Sequence, residues 1–376
     1  CRCTGWQTVL EAWDAYGTAP AATIGNPATG RRAALEGRTR QVVGPEVVSG
    51  SGGFAADTAP EGSLVAVSDG DGGWVVGSTL HEARLAAGRV QGRRTTVAAV
   101  PPLEAPDGEW DVVLRTSWVE PAYLETDASW CEPGGEASSP LANGGAFGAK
   151  LGSVTPAAAR TLADEHGRAV LAVLSREDTV QLGAKRPPVS GGALADGTGV
   201  MRVVRTPGVV EAIAAVAPGL VVEEVDVAGP PTSSTIRAAG WAEAVVLLAG
   251  AGALDGPVVS PDGATATALV DDDGIRVSVG CGDPLDETVL RSYCVGAAHM
   301  AWSWITSEAL SVDADGVVQD LTVRSFGVVR ATDTPPISVV IEDDGGEPVN
   351  GSDAVFAAVA AATWRHRGCP EDLPTG

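Results

Sequence analysis

The chain has 376 residues, 25 basic against 48 acidic side chains and a net charge of −23 at pH 7, so it repels phosphate backbones and anionic lipid, and neither nucleic acid nor a membrane surface is an expected partner. Hydrophobic residues make up 44% and charged residues 19%, which excludes a disordered chain, and 48 Gly with 25 Pro favour short strands joined by turns over a helical bundle. At about 150 residues per domain the length suggests two or three domains.

The longest apolar runs, such as residues 244–254, stop well short of the ~20 residues that span a bilayer. Residues after Arg2 are polar and lead to Trp13-Asp14, so no signal peptide is visible. The six cysteines, Cys1, Cys3, Cys131, Cys281, Cys294 and Cys369, are too few for a disulfide scaffold and predict a reducing, cytoplasmic setting. The first residue is Cys rather than Met, which implies processing or a part lying upstream.

Residues 1–17 read as an amphipathic helix with Val9, Leu10, Trp13 and Tyr16 on one face, Thr4 as cap and Gly17 as stop. Residues 18–40 carry Gly25-Asn26-Pro27 and Gly30-Arg31-Arg32 without sustained periodicity and read as a linker. Short extended runs follow at 63–68, 73–78 and 95–100, with a helix at 80–88, giving a small α+β unit. Beyond Glu109 strands and helices alternate. Strands are expected in the run WDVVLRT and at 168–175, 220–228, 274–280 and 336–343, with a strand pair at 317–330. Helices are expected at 156–167, 208–217, 241–250, 287–310 and 353–368, the first begun by Pro156 and stopped by Gly167.

Cys1-Arg2-Cys3 is the densest pair of soft ligands. Thiolates hold iron–sulfur clusters or zinc, and a C-x-C step supplies half of a four-ligand site, unless the two cysteines are incidental. His81, His166, His299 and His366 stand apart, without the paired spacing of a mononuclear zinc enzyme, and no G-x-S-x-G elbow supports a serine triad. Residues 143–150, NGGAFGAK, form a Gly-rich loop that reads either as a turn or as a place where backbone N–H groups approach an anion. Asp353 opens the last helix and reads as an N-terminal cap or as a general base.

In chain order these segments resemble the xanthine dehydrogenase and aldehyde oxidase family of molybdenum hydroxylases. CRCTGWQTVLEAW resembles the last ligand pair and following helix of that family's helical [2Fe-2S] domain, written C-R-C-T-G-Y. VVSGSGGFAADTAPEGSLVAVS (47–68), with the stretch to about residue 100, is similar to the α/β hammerhead that begins the molybdenum subunit. WVEPAYLETDASW (118–130) resembles the E-P-x-x-x-E segment, NGGAFGAK the G-G-x-F-G-x-K loop, and TSSTIRAAGWAEAVVLL (232–248) the M-R-A-P-G-x-x-E segment. Residues 283–310 and 330–362 resemble the closing stretch, and the likeness is weakest between about 190 and 230.

The resemblance implies an α+β chain with the end of a helical [2Fe-2S] domain and a linker at 1–30, a hammerhead-like domain at 40–105 and a contracted molybdenum-subunit-like body at 109–376. It makes Cys1 and Cys3 two of four cluster ligands, sets Gly144, Gly145, Phe147, Gly148 and Arg237 at pterin-site positions, and puts Asp353 at the position of the family's base. Departures accompany it. The stretch that carries a Gln beside the metal in the family is cut to CEPGGEASSPLA (131–142), the pterin-binding segments of the middle region are not visible, and the base is an Asp where the family has Glu. A carboxylate one methylene shorter misplaces a proton acceptor by about 1 Å, more than catalytic geometry tolerates. The implied role is an iron–sulfur electron-transfer and scaffold subunit whose own molybdopterin site has been lost. It would pair with a catalytic molybdenum subunit and an FAD subunit. The alternatives are a minimal active hydroxylase of N-heterocycles or aldehydes with Asp353 as base, and a redox-inactive assembly subunit.

Overall fold

The computed structural model describes residues 5–18, 27–39, 41–42, 45–89, 95–141, 144–343 and 345–376. It opens with the helices α1 (Gly5–Asp14), α2 (Pro27–Gly37), α3 (Pro45–Val48) and α4 (Ala55–Thr58). Then come β1 (Leu64–Ser68), β2 (Trp74–Gly77), α5 (Leu80–Ala87), β3 (Val112–Thr116), β4 (Ala128–Cys131), α6 (Thr155–His166), β5 (Val170–Val173) and α7 (Arg176–Leu182). The second half holds β6 (Val189–Ala193), β7 (Gly199–Val204), α8 (Val209–Val216), β8 (Leu220–Val225), α9 (Trp241–Gly250), β9 (Val258–Val259), β10 (Thr265–Asp271) and β11 (Gly274–Gly280). It closes with α10 (Glu287–Thr306), β12 (Ile337–Glu342), α11 (Ser352–His366) and β13 (Asp372–Leu373).

The strands form three mixed sheets, ordered β2-β1-β5-β4, β13-β3-β6-β7-β8 and β12-β11-β10-β9. In the first sheet β1 runs parallel to β5 while β2 and β4 are antiparallel outer strands, so residues 64–77 share a sheet with residues 128–173. Helix α6 lies against β4 and β5, and α5 against β1 and β2. The remaining two sheets enclose the main core with α9, α10 and α11.

Helix α11 is the axis of that core. All its residues are buried except Ala362, Arg365 and His366. A helix that is apolar on every side belongs inside a protein. Its Ala354, Ala357, Ala358, Ala360 and Ala361 keep the helix slim enough for α9, α10, β10 and β11 to close around it. Three tryptophans, Trp118, Trp304 and Trp364, fill the largest buried volumes, and Trp304 stacks on Phe356 at 5.5 Å between ring centres.

The structure corrects several sequence expectations. Residues 27–37 are a helix rather than linker, because Pro27 starts it, Gly37 ends it and Arg32 pairs with Glu36 one turn on. Residues 95–100 form no strand, and 317–330 yield only an isolated bridge between Val312 and Val318 followed by a 3₁₀ turn at Val323–Ser325. The helix expected over 1–17 ends at Asp14 in α1, and its apolar face is bare, with Val9 67%, Leu10 56% and Trp13 77% exposed, while Tyr16, 86% exposed, lies in the turn beyond it. Strands β4, β6, β7 and β10 carry no expectation from the sequence, since Gly-rich VSGGA and short ASWC lack a clear alternation.

Close packing gives a direct check. Gly250 ends α9 against the Trp364 ring, and a β-carbon there would overlap ring atoms. Gly250→Ala is expected to cost about 1–3 kcal/mol in urea unfolding, whereas Gly134→Ser, at an open positive-φ turn, tests conformational strain alone and is expected to cost about 1–2 kcal/mol.

Candidate functional site

The Gly-rich loop, Arg237 and Asp353 meet at the start of α11, where four segments converge: the end of α2, the Gly-rich loop, the turn before α9 and the residues before α11. The loop is built on unusual backbone. Gly144, Ala146, Phe147 and Gly148 all have positive φ, at 126°, 50°, 59° and 96°. Two of these are not glycine, a conformation that persists only where surroundings impose it. Here Gly148 is pressed onto the Thr235 carbonyl, where a β-carbon has no room. Thr235 Oγ1 donates to the Gly148 carbonyl at 3.0 Å and the Arg237 amide to the Phe147 carbonyl at 2.8 Å. The loop then continues as a 3₁₀ helix, Ala146–Gly152, and its buried Lys150 binds Glu125 at 2.9 Å.

Arg237, 1% exposed, is the hub. Its guanidinium lies 4.8 Å from the centre of the Phe147 ring, donates to Ser352 Oγ at 3.0 Å and reaches Asp353 Oδ1 at 3.4 Å. Asp353 Oδ2 accepts from Arg38 Nη2 at 2.6 Å. Both carboxylate oxygens of Asp353 therefore face guanidinium groups. The cap at this helix start is not Asp353 itself: Asn350 Oδ1 accepts from the Asp353 amide at 3.0 Å, and Glu36 accepts from the amides of Gly351 and Ser352 at 3.0 and 2.9 Å.

The tail of α2 closes the remaining side. The Gly37 carbonyl lies where a β-carbon on Gly145 would meet it at 2.8 Å. Gln41 lies against Gly144 and donates through Nε2 to the Tyr293 hydroxyl, which burial pushes up to about 12 while that hydrogen bond pulls it back.

Gly145, Phe147, Gly148, Arg237 and Asp353 thus form one connected cluster, with Gly144 at its edge. Cys1 and Cys3 lie outside the described residues. Of the other cysteines, Cys131, Cys281 and Cys294 are buried; Cys131 contacts the carbonyls of Glu132 and Gly135, and burial pushes the Cys294 thiol up. Among the described residues no three His, Cys, Asp or Glu side chains converge as metal ligands. Sequence reasoning missed Arg32, Glu36, Arg38 and Gln41. The (i, i+4) spacing of Arg32 and Glu36 between Pro27 and Gly37 was the signal that could have found them.

These residues do not fit a molybdopterin. The Gly-rich loop gives its close approach to protein backbone, the Arg237 guanidinium is covered by Phe147, and the position implied for the base is bonded on both oxygens. Asp353→Asn leaves two guanidiniums facing a neutral amide. Breaking a buried ion pair costs about 3–5 kcal/mol, and Arg38 keeps 34% of its side chain exposed, so a loss of roughly 2–4 kcal/mol is expected in urea unfolding, against under about 1 kcal/mol for a surface pair.

No family model and no curated protein matches the sequence. Solved structures do match the fold. Quinoline 2-oxidoreductase from Pseudomonas putida 86 aligns with a TM-score of 0.55 at 9% identity, over 88% of this chain and 95% of that one. Reconstituted CO dehydrogenase from Oligotropha carboxidovorans aligns with a TM-score of 0.52 at 10% identity, over 94% of this chain and 98% of that one. The likeness is one of architecture, and by it this chain has a molybdenum-hydroxylase-like α+β fold.

Proposed function

We propose that the chain is a non-catalytic subunit of a molybdenum-hydroxylase-type oxidoreductase, serving as scaffold and as part of an iron–sulfur electron relay. The observation that carries the reading is the engagement of Asp353 by Arg237 and Arg38. A general base needs a free lone pair directed at the proton it takes. Here the lone pairs of the carboxylate that the sequence resemblance puts at the base position meet cations of the same chain, and the backbone-lined space near it holds Thr235, Gly37 and Phe147. A minimal hydroxylase working through Asp353 is disfavoured on the same ground.

The relay rests on the resemblance of CRCTGWQTVLEAW to a cluster-bearing segment. Cys1 and Cys3 supply two thiolates, and a [2Fe-2S] cluster takes four, so the other two come from outside this set. The helix that follows them, α1, is tied to the body by Glu11 and Arg291 at 2.6 Å. The fold supports the scaffold reading: it would offer a catalytic molybdenum subunit a partner of similar architecture, and an FAD subunit would then receive the electrons.

Metal and sulfide analysis of the complex purified from its native source tests this. Iron and acid-labile sulfide in equal amounts are expected with this chain, together with a larger molybdenum-bearing subunit and no molybdenum on the separated chain. Stoichiometric molybdenum on the separated chain, with turnover of an N-heterocycle or aldehyde lost in Asp353→Ala, overturns the proposal. Unchanged visible absorbance in Cys1→Ser with Cys3→Ser removes the relay and leaves the scaffold.

A further inference from the structure

Glu36 is 2% exposed, and its carboxylate is used completely at the start of α11. Oε1 accepts from the Gly351 amide at 3.0 Å and from Arg32 Nη1 at 3.0 Å, while Oε2 accepts from the Ser352 amide at 2.9 Å. Arg32, 0% exposed, is itself fixed by the carbonyls of Asp283, Pro284 and Val349 at 2.5, 2.9 and 2.7 Å. Two backbone amides, the positive end of a helix and a buried guanidinium make an anion pocket. The anion that fills it belongs to the same chain.

The segment carrying Glu36 is held along its whole length. Thr29 donates to Asp286 Oδ2, the cap of α10, at 2.6 Å, and Asn350 Nδ2 donates back to the Leu35 carbonyl at 3.0 Å. Past Glu36 the backbone turns through Arg38, at φ 59°, which carries its guanidinium onto Asp353. We propose that α2, with Arg38 just past its end, forms a self-occupying strap: Glu36 fills the anion pocket at the start of α11 and thereby keeps external anions, phosphate or small carboxylate, off the Gly351 and Ser352 amides. This holds whatever the metal content of the chain or of its complex, so it stands or falls separately from the subunit role.

Glu36→Ala vacates the pocket and leaves Arg32 and both amides in place. Its Tm is expected to fall by roughly 5–10 °C. Acetate, which matches the deleted carboxylate, is expected to restore more than about half of that loss with saturation, as a ligand of the native state does. The wild-type protein, whose pocket is filled, is expected to show no saturating response to acetate beyond that to sodium chloride at equal ionic strength. Equal responses of variant and wild type to acetate, or a variant that does not distinguish acetate from chloride, overturn the proposal. Should Glu36→Ala fail to fold, Glu36→Gln keeps the size and removes the charge. Amide exchange at Gly351 and Ser352 is then expected to quicken by about tenfold or more over wild type, and unchanged exchange at both amides overturns the strap.

Discussion

The first amides of a helix have no partner within it, and in α11 they are buried. Ser352 and Asp353 lie deep in the core, so the donors at this helix start must be met by the protein or left at a cost of about 1–3 kcal/mol each. Asn350 meets one locally; Glu36 meets two from the far end of the sequence. That single demand organises the region. It draws α2 onto the body and buries a carboxylate, which in turn needs Arg32, whose remaining donors need the carbonyls of Asp283, Pro284 and Val349. The position of Arg38 over Asp353 follows once α2 is placed.

The same pattern recurs around the motifs. In a chain with a surplus of acid, buried cations are each committed to a specific carboxylate: Lys185 to Glu120 at 2.9 Å, Lys150 to Glu125 at 2.9 Å and Arg186 to Glu243 at 2.5 Å. The Arg186 guanidinium also lies 4.6 and 4.7 Å from the centres of the stacked Trp304 and Phe356 rings, where aromatic faces favour a cation. Glu120, Glu125, Lys150, Arg237 and Glu243 are among the charged residues of the segments that resemble a known family. In this chain they join elements to one another.

Much of the architecture was legible. Helices α6, α8, α9, α10 and α11 and strands β3, β5, β8, β11 and β12 stand where hydrophobic periodicity puts them, because each shows a clean apolar face or a β-branched run between turn residues. Glycine-rich β6 escaped, since its stability comes from central placement between β3 and β7 rather than from its own side chains. The site was half legible. Phe147, Gly148, Arg237 and Asp353 were visible through local motifs and resemblance. Their closure by Arg38 and Glu36 was not, because a contact between residues over three hundred positions apart leaves no periodic trace, and Gly30-Arg31-Arg32 read as linker chemistry.

The distance along the chain between Glu36 and Ser352 also sets an order of events. These partners are 316 residues apart, so on the ribosome α2 is finished long before the helix start that it caps exists. At about 5–20 residues per second the wait is many seconds. Throughout that interval the carboxylate of Glu36 and the guanidinium of Arg32 remain hydrated. Maturation of the region is therefore a late, C-terminally triggered event, and a chain interrupted before its last helix would keep its early strands while leaving the amino-terminal segment undocked.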